Sequence, residues 1–367
     1  MTNDPMRKWA KALVGFSAEV KHGNTVAIQG GTAAEPLLRA IYREVIELGG
    51  KPVMIPVFTG INADLINHGS DEQLQFLTPI ERFVREEADV VVQIIADSNT
   101  RAMAGVSAQR QAMFQKARGG LFKTFMEREG RGEVEWTLTL YPTDGQAQDA
   151  DMSTADFADF VYRACKLHEE DPVGAWKTQG KEQQRLIDWL DGREHVQITG
   201  PGTDLQLSVK GRKWINADGK KNFPDGEIFT APVEDSVNGH ITYSFPAIHV
   251  GKEVAGIRLE FEHGKVVNAS AERGEELLLS QLDVDAGARI LGEFAFGTNF
   301  DIQRFTRQML FDEKIGGTIH LALGETYLET GGKNSSAIHW DMLCDLRKGG
   351  RVDVDGEPFL VDGEYVV

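Results

Sequence analysis

The stretch 24–58, NTVAIQGGTAAEPLLRAIYREVIELGGKPVMIPVF, reads as strand, helix, strand. Residues 24–29 form a short apolar run that ends at Gly30-Gly31. Thr32 and Glu35 then have the spacing of a capping box, with Thr32 at the N-cap and Glu35 reaching back. Leu37, Leu38, Ile41, Val45 and Leu48 follow at helical spacing, and Gly49-Gly50 stops the helix. The next candidate strand is 52–58. Gly30-Gly31 ahead of a helix could bind an anion, but it lacks GxGxxG spacing and reads as a plain strand-to-helix turn.

The same alternation continues outward. Residues 88–96, ADVVVQIIA, are apolar almost throughout, as a strand covered on both faces would be. WTLTLY at 136–141 is a fourth strand. Such alternation predicts an α/β layer with a mostly parallel sheet. Residues 154–191 read as helical, for example 155–167 and 181–190, with Asp171-Pro172 interrupting and Asp191-Gly192 ending the run. The domain boundary is placed there: an N-terminal α/β domain over 1–190 and a second domain over 191–367. With 367 residues the chain is too long for one ordinary core, which agrees with two domains.

The second half has hairpin-like strands at 196–199, 205–209, 241–244, 257–261 and 265–270, with Glu262-His263-Gly264 as the turn between the last two. One amphipathic helix is expected over about 271–282. This half is expected to be α+β with an antiparallel sheet.

Hydrophobic residues make up 41% of the chain and charged residues 26%, a globular composition. The formal net charge of −17 repels phosphate backbones and anionic membrane surfaces, so neither nucleic acid nor membrane is expected as a partner. It suits cationic ligands such as divalent metals or a peptide ammonium. Two cysteines far apart, Cys165 and Cys344, offer neither a disulfide framework nor a cysteine zinc site. No apolar run approaches the roughly 20 residues needed to cross a bilayer, and the N-terminus lacks a secretory pattern, so the cytoplasm is the expected compartment.

Chemistry concentrates towards the C-terminus. In SSAIHWDM at 335–342, His339 and Asp341 are two apart and would share one face of a strand, with Trp340 on the other. An imidazole and a carboxylate converging on one point suit a divalent cation such as zinc, cobalt or manganese; a hydrogen-bonded His–Asp pair is the alternative. TIHLALG at 318–324 carries His320 at the centre of an apolar strand, with the small Ala322 on the same face. A core histidine held by hydrogen bonds would look the same. Tyr327 could approach that face if the chain turns after Gly324. Glu227 stands at the start of a strand after a Pro/Gly turn, whereas Asp225 and Glu234 read as a solvated acidic turn. Glu293 is a single acid in the apolar run 289–295 and needs a partner or a cation. The HExxH helix is absent, which excludes a thermolysin-type site.

Taken in order, FPDGEIFTAPVEDSVNG, ARILGEFAFGTN, GGTIHLALGE and GGKNSSAIHWDM resemble the thermophilic aminopeptidase T / aminopeptidase S family of metallopeptidases. NTVAIQGGTAAEPLLRAIYREVIELGGKPVM and DFVYRACKLHEEDPVGAW resemble it too, so the likeness covers most of the chain. The resemblance implies metal ligands at Glu227, Glu293, His320, His339 and Asp341, a site-facing Tyr327, two divalent ions, peptides with a free N-terminus as substrates, and a homodimer. Within that reading Glu293 is the expected bridge between the ions. Glu227 is also expected to shuttle a proton, and Tyr327 to donate to the tetrahedral oxyanion. Two departures from the family pattern, a shorter stretch between His320 and His339 and Leu328 where many members have proline, leave substrate preference open. A competing expectation comes from iron(II) ring-cleaving dioxygenases of hydroxypyridine type, which resemble the same family. There His320, His339 and Asp341 would form a mononuclear triad, with no need of Glu227 and Glu293. A binding protein that keeps the fold without catalysis is the third reading.

Overall fold

The computed structural model describes residues 4–249 and 251–367. The chain forms two compact units, Met1–Ala175 with Gly219–Pro224, and Trp176–Asp218 with Asp225–Val367. The boundary expected at 190/191 is displaced. The helix Pro172–Leu190 belongs largely to the second unit, because its Leu186 and Leu190 are part of that unit's apolar core.

The first unit is built on a fully parallel five-stranded sheet. Its strands are β1 (Thr25–Gly31), β2 (Lys51–Val57), β3 (Val90–Ile95) and β4 (Glu135–Leu140), in the order β2-β1-β3-β4, and the short Asn222–Phe223 strand pairs beside β4. The helix Glu35–Glu47 links β1 to β2 and buries Leu37, Leu38, Ile41 and Val45, the residues whose spacing announced it. The capping box does not form. Thr32–Ala34 is a single 3-10 turn, the helix has no side-chain cap, and the Glu35 carboxylate accepts a 2.7 Å bond from Arg39 instead. Gly31 is needed for approach: a Cβ there would stand 2.8 Å from the Ala96 carbonyl oxygen at the end of β3. A helix over Ala108–Gly130, burying Leu121 and Phe125, is not announced by the sequence pattern.

The second unit is antiparallel. An eight-stranded sheet runs, edge to edge, Lys265–Ser270, Arg258–Glu262, Asn238–Thr242, Thr203–Ser208, His195–Gly200, Arg351–Val354, Glu357–Val361, Glu364–Tyr365. The Glu262-His263-Gly264 hairpin forms as expected. The helix expected from 271 begins later, at Glu275–Leu282. A second, five-stranded sheet comprises β5 (Ile215–Ala217), β6 (Glu227–Thr230), β7 (Leu291–Gly297), β8 (Thr318–Gly324) and β9 (His339–Asp345), in the order β9-β8-β7-β6-β5. One continuous core joins the two sheets: Ile198, Leu205, Leu259 and Val352 of the larger sheet with Ile228, Phe294, Phe296, Leu321 and Met342 of the smaller. Among the described residues no helix is long and apolar enough to cross a membrane.

Candidate metal centre

Strand alternation puts the chemistry on the face of the smaller sheet opposite that core. On β8, Ile319, Leu321 and Leu323 enter the core, which leaves His320 and Ala322 on the other face. On β9, Trp340, Met342 and Cys344 are core, which leaves His339 and Asp341. Strand β6 buries Ile228 and presents Glu227 and Phe229.

Strand β7 obeys the rule only after a correction. Leu291, Phe294 and Phe296 all lie in the core, although strict alternation would put Leu291 on the same face as Glu293. The pairing register with β8 shifts by one between Leu291 and Glu293, a bulge at Gly292. A one-residue slip turns every later side chain to the other face. Here it sends Glu293 out of the core and onto the site.

Small residues stand opposite each polar one. Across the strands Glu227 faces Gly297, Glu293 and Asp341 both flank Ala322, His320 faces Ala295, and His339 faces Gly324. Glycine and alanine therefore stand beside each of the polar side chains, with Leu343 on the other side of His320.

Their atoms converge. His320 Nε2 lies 3.3 Å from Glu227 Oε2 and 3.6 Å from Glu293 Oε1. His339 Nε2 lies 3.2 Å from Glu293 Oε2 and 3.5 Å from Asp341 Oδ1. Nδ1 of His339 faces the Glu325 carbonyl at 2.9 Å, which makes Nδ1 the donor and leaves Nε2 to coordinate. Glu227 Oε2 and Asp341 Oδ1 are buried without a hydrogen-bond partner. Buried oxygens aimed at a common point without donors suit a cation, and the nitrogen and oxygen donor set is one that zinc, cobalt and manganese accept. Two groups share Glu293: Glu227, Glu293 and His320 form one, and Glu293, His339 and Asp341 the other. Among the described residues neither histidine joins the other in a single group.

The electrostatics follow from burial and close pairing. Burial alone would raise Glu293, but contacts with His320 and His339 outweigh it and hold the carboxyl at about 2. Burial opposes protonation of His320, yet Glu293 and Glu227 bring it up to about 9. His339 is likewise carried against its burial to about 12 by Asp341 and Glu293. Burial raises Glu227 to about 7 despite the pull of Lys314.

The turn after Gly324, where φ is +101°, brings Tyr327 back over the site. Its ring packs 5.2 Å from that of His339 and 5.4 Å from that of Phe229, while the residue remains 47% exposed. Burial and then the neighbouring carboxylates push its hydroxyl well above the ordinary range, so it stays protonated and can donate.

Three residues were not foreseen. Glu313 forms a further possible ligand group with His320 and Asp341. Lys314 is buried and paired with Asp225, Glu227 and Glu313. Asp225, expected in a solvated turn, is only 3% exposed and sits against Lys314. Glu234 is partly exposed and pairs with Arg212 at 2.6 Å, outside the cluster. The signal for Glu313 and Lys314 was a charged triplet, 312–314, wedged between apolar Met309-Leu310-Phe311 and the β8 strand.

This geometry can be set beside known proteins. Aminopeptidase PepS of Streptococcus thermophilus is 25% identical over 414 aligned positions, covering 99% of this chain and 98% of the relative. The solved structure of wild-type AmpT from Thermus thermophilus superposes with a TM-score of 0.86 at 25% identity, covering 99% of each chain. The 2,5-dihydroxypyridine dioxygenase of Pseudomonas putida KT2440 gives a TM-score of 0.59 at 14% identity over 100% of this chain and 98% of its own, a likeness of fold alone. A family model described as thermophilic metalloprotease (M29) matches residues 2–365. Matched over nearly its whole length, the chain belongs to the thermophilic metalloprotease (M29) family.

Proposed function

We propose that this chain is an aminopeptidase that removes the N-terminal residue of small peptides, using a pair of divalent ions held by Glu227, Glu293, His320, His339 and Asp341. The observation that carries the reading is Glu293, one oxygen towards His320 and the other towards His339, so that a single carboxylate serves two adjoining ligand groups. Bound divalent ions would supply a water acidic enough to ionise near neutral pH and would polarise the scissile carbonyl. Zinc, cobalt and manganese all suit the donors.

The chain's own residues do the rest. Glu227 is held by Lys314 through one oxygen and keeps the other at the site, beside His320, where it would hold an ion. Tyr327, protonated and at the rim, donates to the oxyanion of the tetrahedral intermediate. The surplus of carboxylates attracts a substrate with a free ammonium terminus. We take the cytoplasm as the compartment from the sequence's lack of a secretory pattern and of a bilayer-length apolar run, and a homodimer as the assembly from family resemblance.

The dioxygenase reading needs His320, His339 and Asp341 around one iron. The separate grouping of the two histidines, with Glu293 between them, speaks for two ions. The test is elemental analysis of the purified chain alongside hydrolysis of a chromogenic leucyl substrate. Two zinc, cobalt or manganese ions per chain and chelator-sensitive hydrolysis support the proposal. One iron per chain without hydrolysis, or full activity and metal content in Glu227→Gln and His339→Ala, overturns it.

A further inference from the structure

Lys314 is the most deeply buried cation near the site, its side chain 1% exposed. Its ammonium is enclosed by three carboxylates: it donates to Glu227 Oε1 and is ion-paired with Glu313 Oε1 at 2.7 Å and Asp225 Oδ1 at 3.3 Å. An ammonium with no lone pair, buried among three carboxylates, has nothing to offer substrate directly. Burial of an ammonium is tolerated only where carboxylates surround it, and here they hold it firmly protonated.

The contact to Glu227 has a directional consequence. Lys314 takes Oε1, and Oε2 is the oxygen left without a hydrogen bond, 3.3 Å from His320 Nε2. The ammonium therefore decides which oxygen of Glu227 faces the cluster. Charge also balances. The cluster holds five carboxylates, of which Asp225, Glu227 and Glu313 pair with the one ammonium while Glu293 and Asp341 face the histidines, and the formal surplus of four negative charges equals the charge of two divalent ions.

We propose that Lys314 is a positioning residue for the metal centre: a protein-supplied cation that closes the Asp225–Glu227–Glu313 end of the cage and turns Glu227 so that one oxygen remains for metal. The proposal rests on the two-ion reading above. It acts on the ion beside Glu227 and His320 and leaves the ion between Glu293, His339 and Asp341 alone.

The experiment is cobalt(II) titration of the chelator-stripped full chain, followed by calorimetry and by the visible absorption of bound cobalt. Wild type is compared with K314M and with D225N/K314M. K314M removes the ammonium at similar volume but leaves three buried carboxylates crowded, which threatens folding. The double variant removes one carboxylate with the ammonium, so the formal charge stays constant while the hold on Glu227 and on Glu313 is lost. The expected result is a loss of about 10–100-fold in affinity for one ion, as for other outer-shell partners of metal ligands, with its cobalt band altered and the second ion unchanged. Wild-type affinity for both ions in a folded double variant overturns the proposal, and so does equal weakening of both. If wild type takes up a single ion, the two-ion reading falls, and the Lys314 proposal stands only if that ion weakens in the variant.

Discussion

Glu293 reaches His320 with one carboxylate oxygen, at 3.6 Å, and His339 with the other, at 3.2 Å. Among the described residues no other carboxylate belongs both to the group of Glu227 and His320 and to the group of His339 and Asp341. A shared ligand and a terminal ligand should fail differently. Glu293→Gln is expected to weaken both ions, whereas His339→Ala should release one and leave the other. Loss of a direct ligand should exceed the roughly 10–100-fold cost known for outer-shell partners, with hydrolysis falling at least as far. Metal per chain after dialysis checks this. Retention of two ions by Glu293→Gln would contradict the bridging role.

Metal affinity should rise with pH. In the metal-free chain His320 keeps its proton up to about 9 and His339 up to about 12, because the carboxylates around them outweigh their burial. At pH 7 both imidazoles are charged, and an incoming ion must displace their protons. Raising the pH removes the competitor, so apparent affinity climbs by about tenfold per pH unit for each proton displaced. The rise should ease once His320 has titrated near 9. Calorimetry in two buffers of different ionisation enthalpy counts the protons. Binding without proton release at pH 7 would show the imidazoles already neutral.

Tyr327→Phe should separate catalysis from binding. The change removes only the hydroxyl, and the ring packing on His339 and Phe229 survives it. Loss of one oxyanion donor costs about 10²–10³ in kcat. The expectation is a fall of that order in kcat, with KM and metal content close to wild type. An unchanged kcat would remove Tyr327 from the mechanism.

Much of this site was legible because strands repeat every two residues. In 318–324 and 339–345 the apolar set and the polar set separate cleanly, so the sequence alone assigns His320, His339 and Asp341 to a face. Tyr327 followed from the turn at Gly324. The parallel layer was equally plain, since β1 and β3 are apolar runs broken by glycine or polar residues. What alternation cannot reveal is a change of parity. Nothing in ILGEFAF says that Leu291 and Glu293 part company, because the bulge is set by tertiary pairing with β8. Asp225 misled, and 313–314 went unnoticed, for a related reason. A Lys–Glu–Asp cluster written in two distant segments, 225–227 and 313–314, shows itself in neither, and only folding joins its parts. The helix Ala108–Gly130 was missed because it buries few apolar residues and carries Gly119-Gly120 in its middle. The domain boundary was drawn at the end of the helix Pro172–Leu190, since its packing partners lie downstream in sequence and cannot be read locally.

The bulge at Gly292 gives the last expectation. A Cβ on this residue would stand 2.2 Å from the Glu325 carbonyl oxygen and 2.4 Å from that of Gly324, both backbone atoms that cannot swing aside. The Glu325 carbonyl is also the acceptor that orients His339. Gly292→Ala must therefore move the turn that orients His339 and leads to Tyr327, in addition to straining the strand that carries Glu293. A strain of about 1–3 kcal/mol is typical of overpacking, which at roughly 2–4 °C per kcal/mol lowers the melting temperature by several degrees. Metal content and kcat should fall with it. Gly120→Ala is the control, since a Cβ there meets nothing within 4 Å and the residue lies inside a helix. That change should be neutral or stabilising by about 0.5–1 kcal/mol. Thermal melts of the two variants with and without zinc separate the cases. If Gly292→Ala binds metal and melts like wild type, the close approach of β7 to the Gly324–Glu325 turn does not set the geometry of the site.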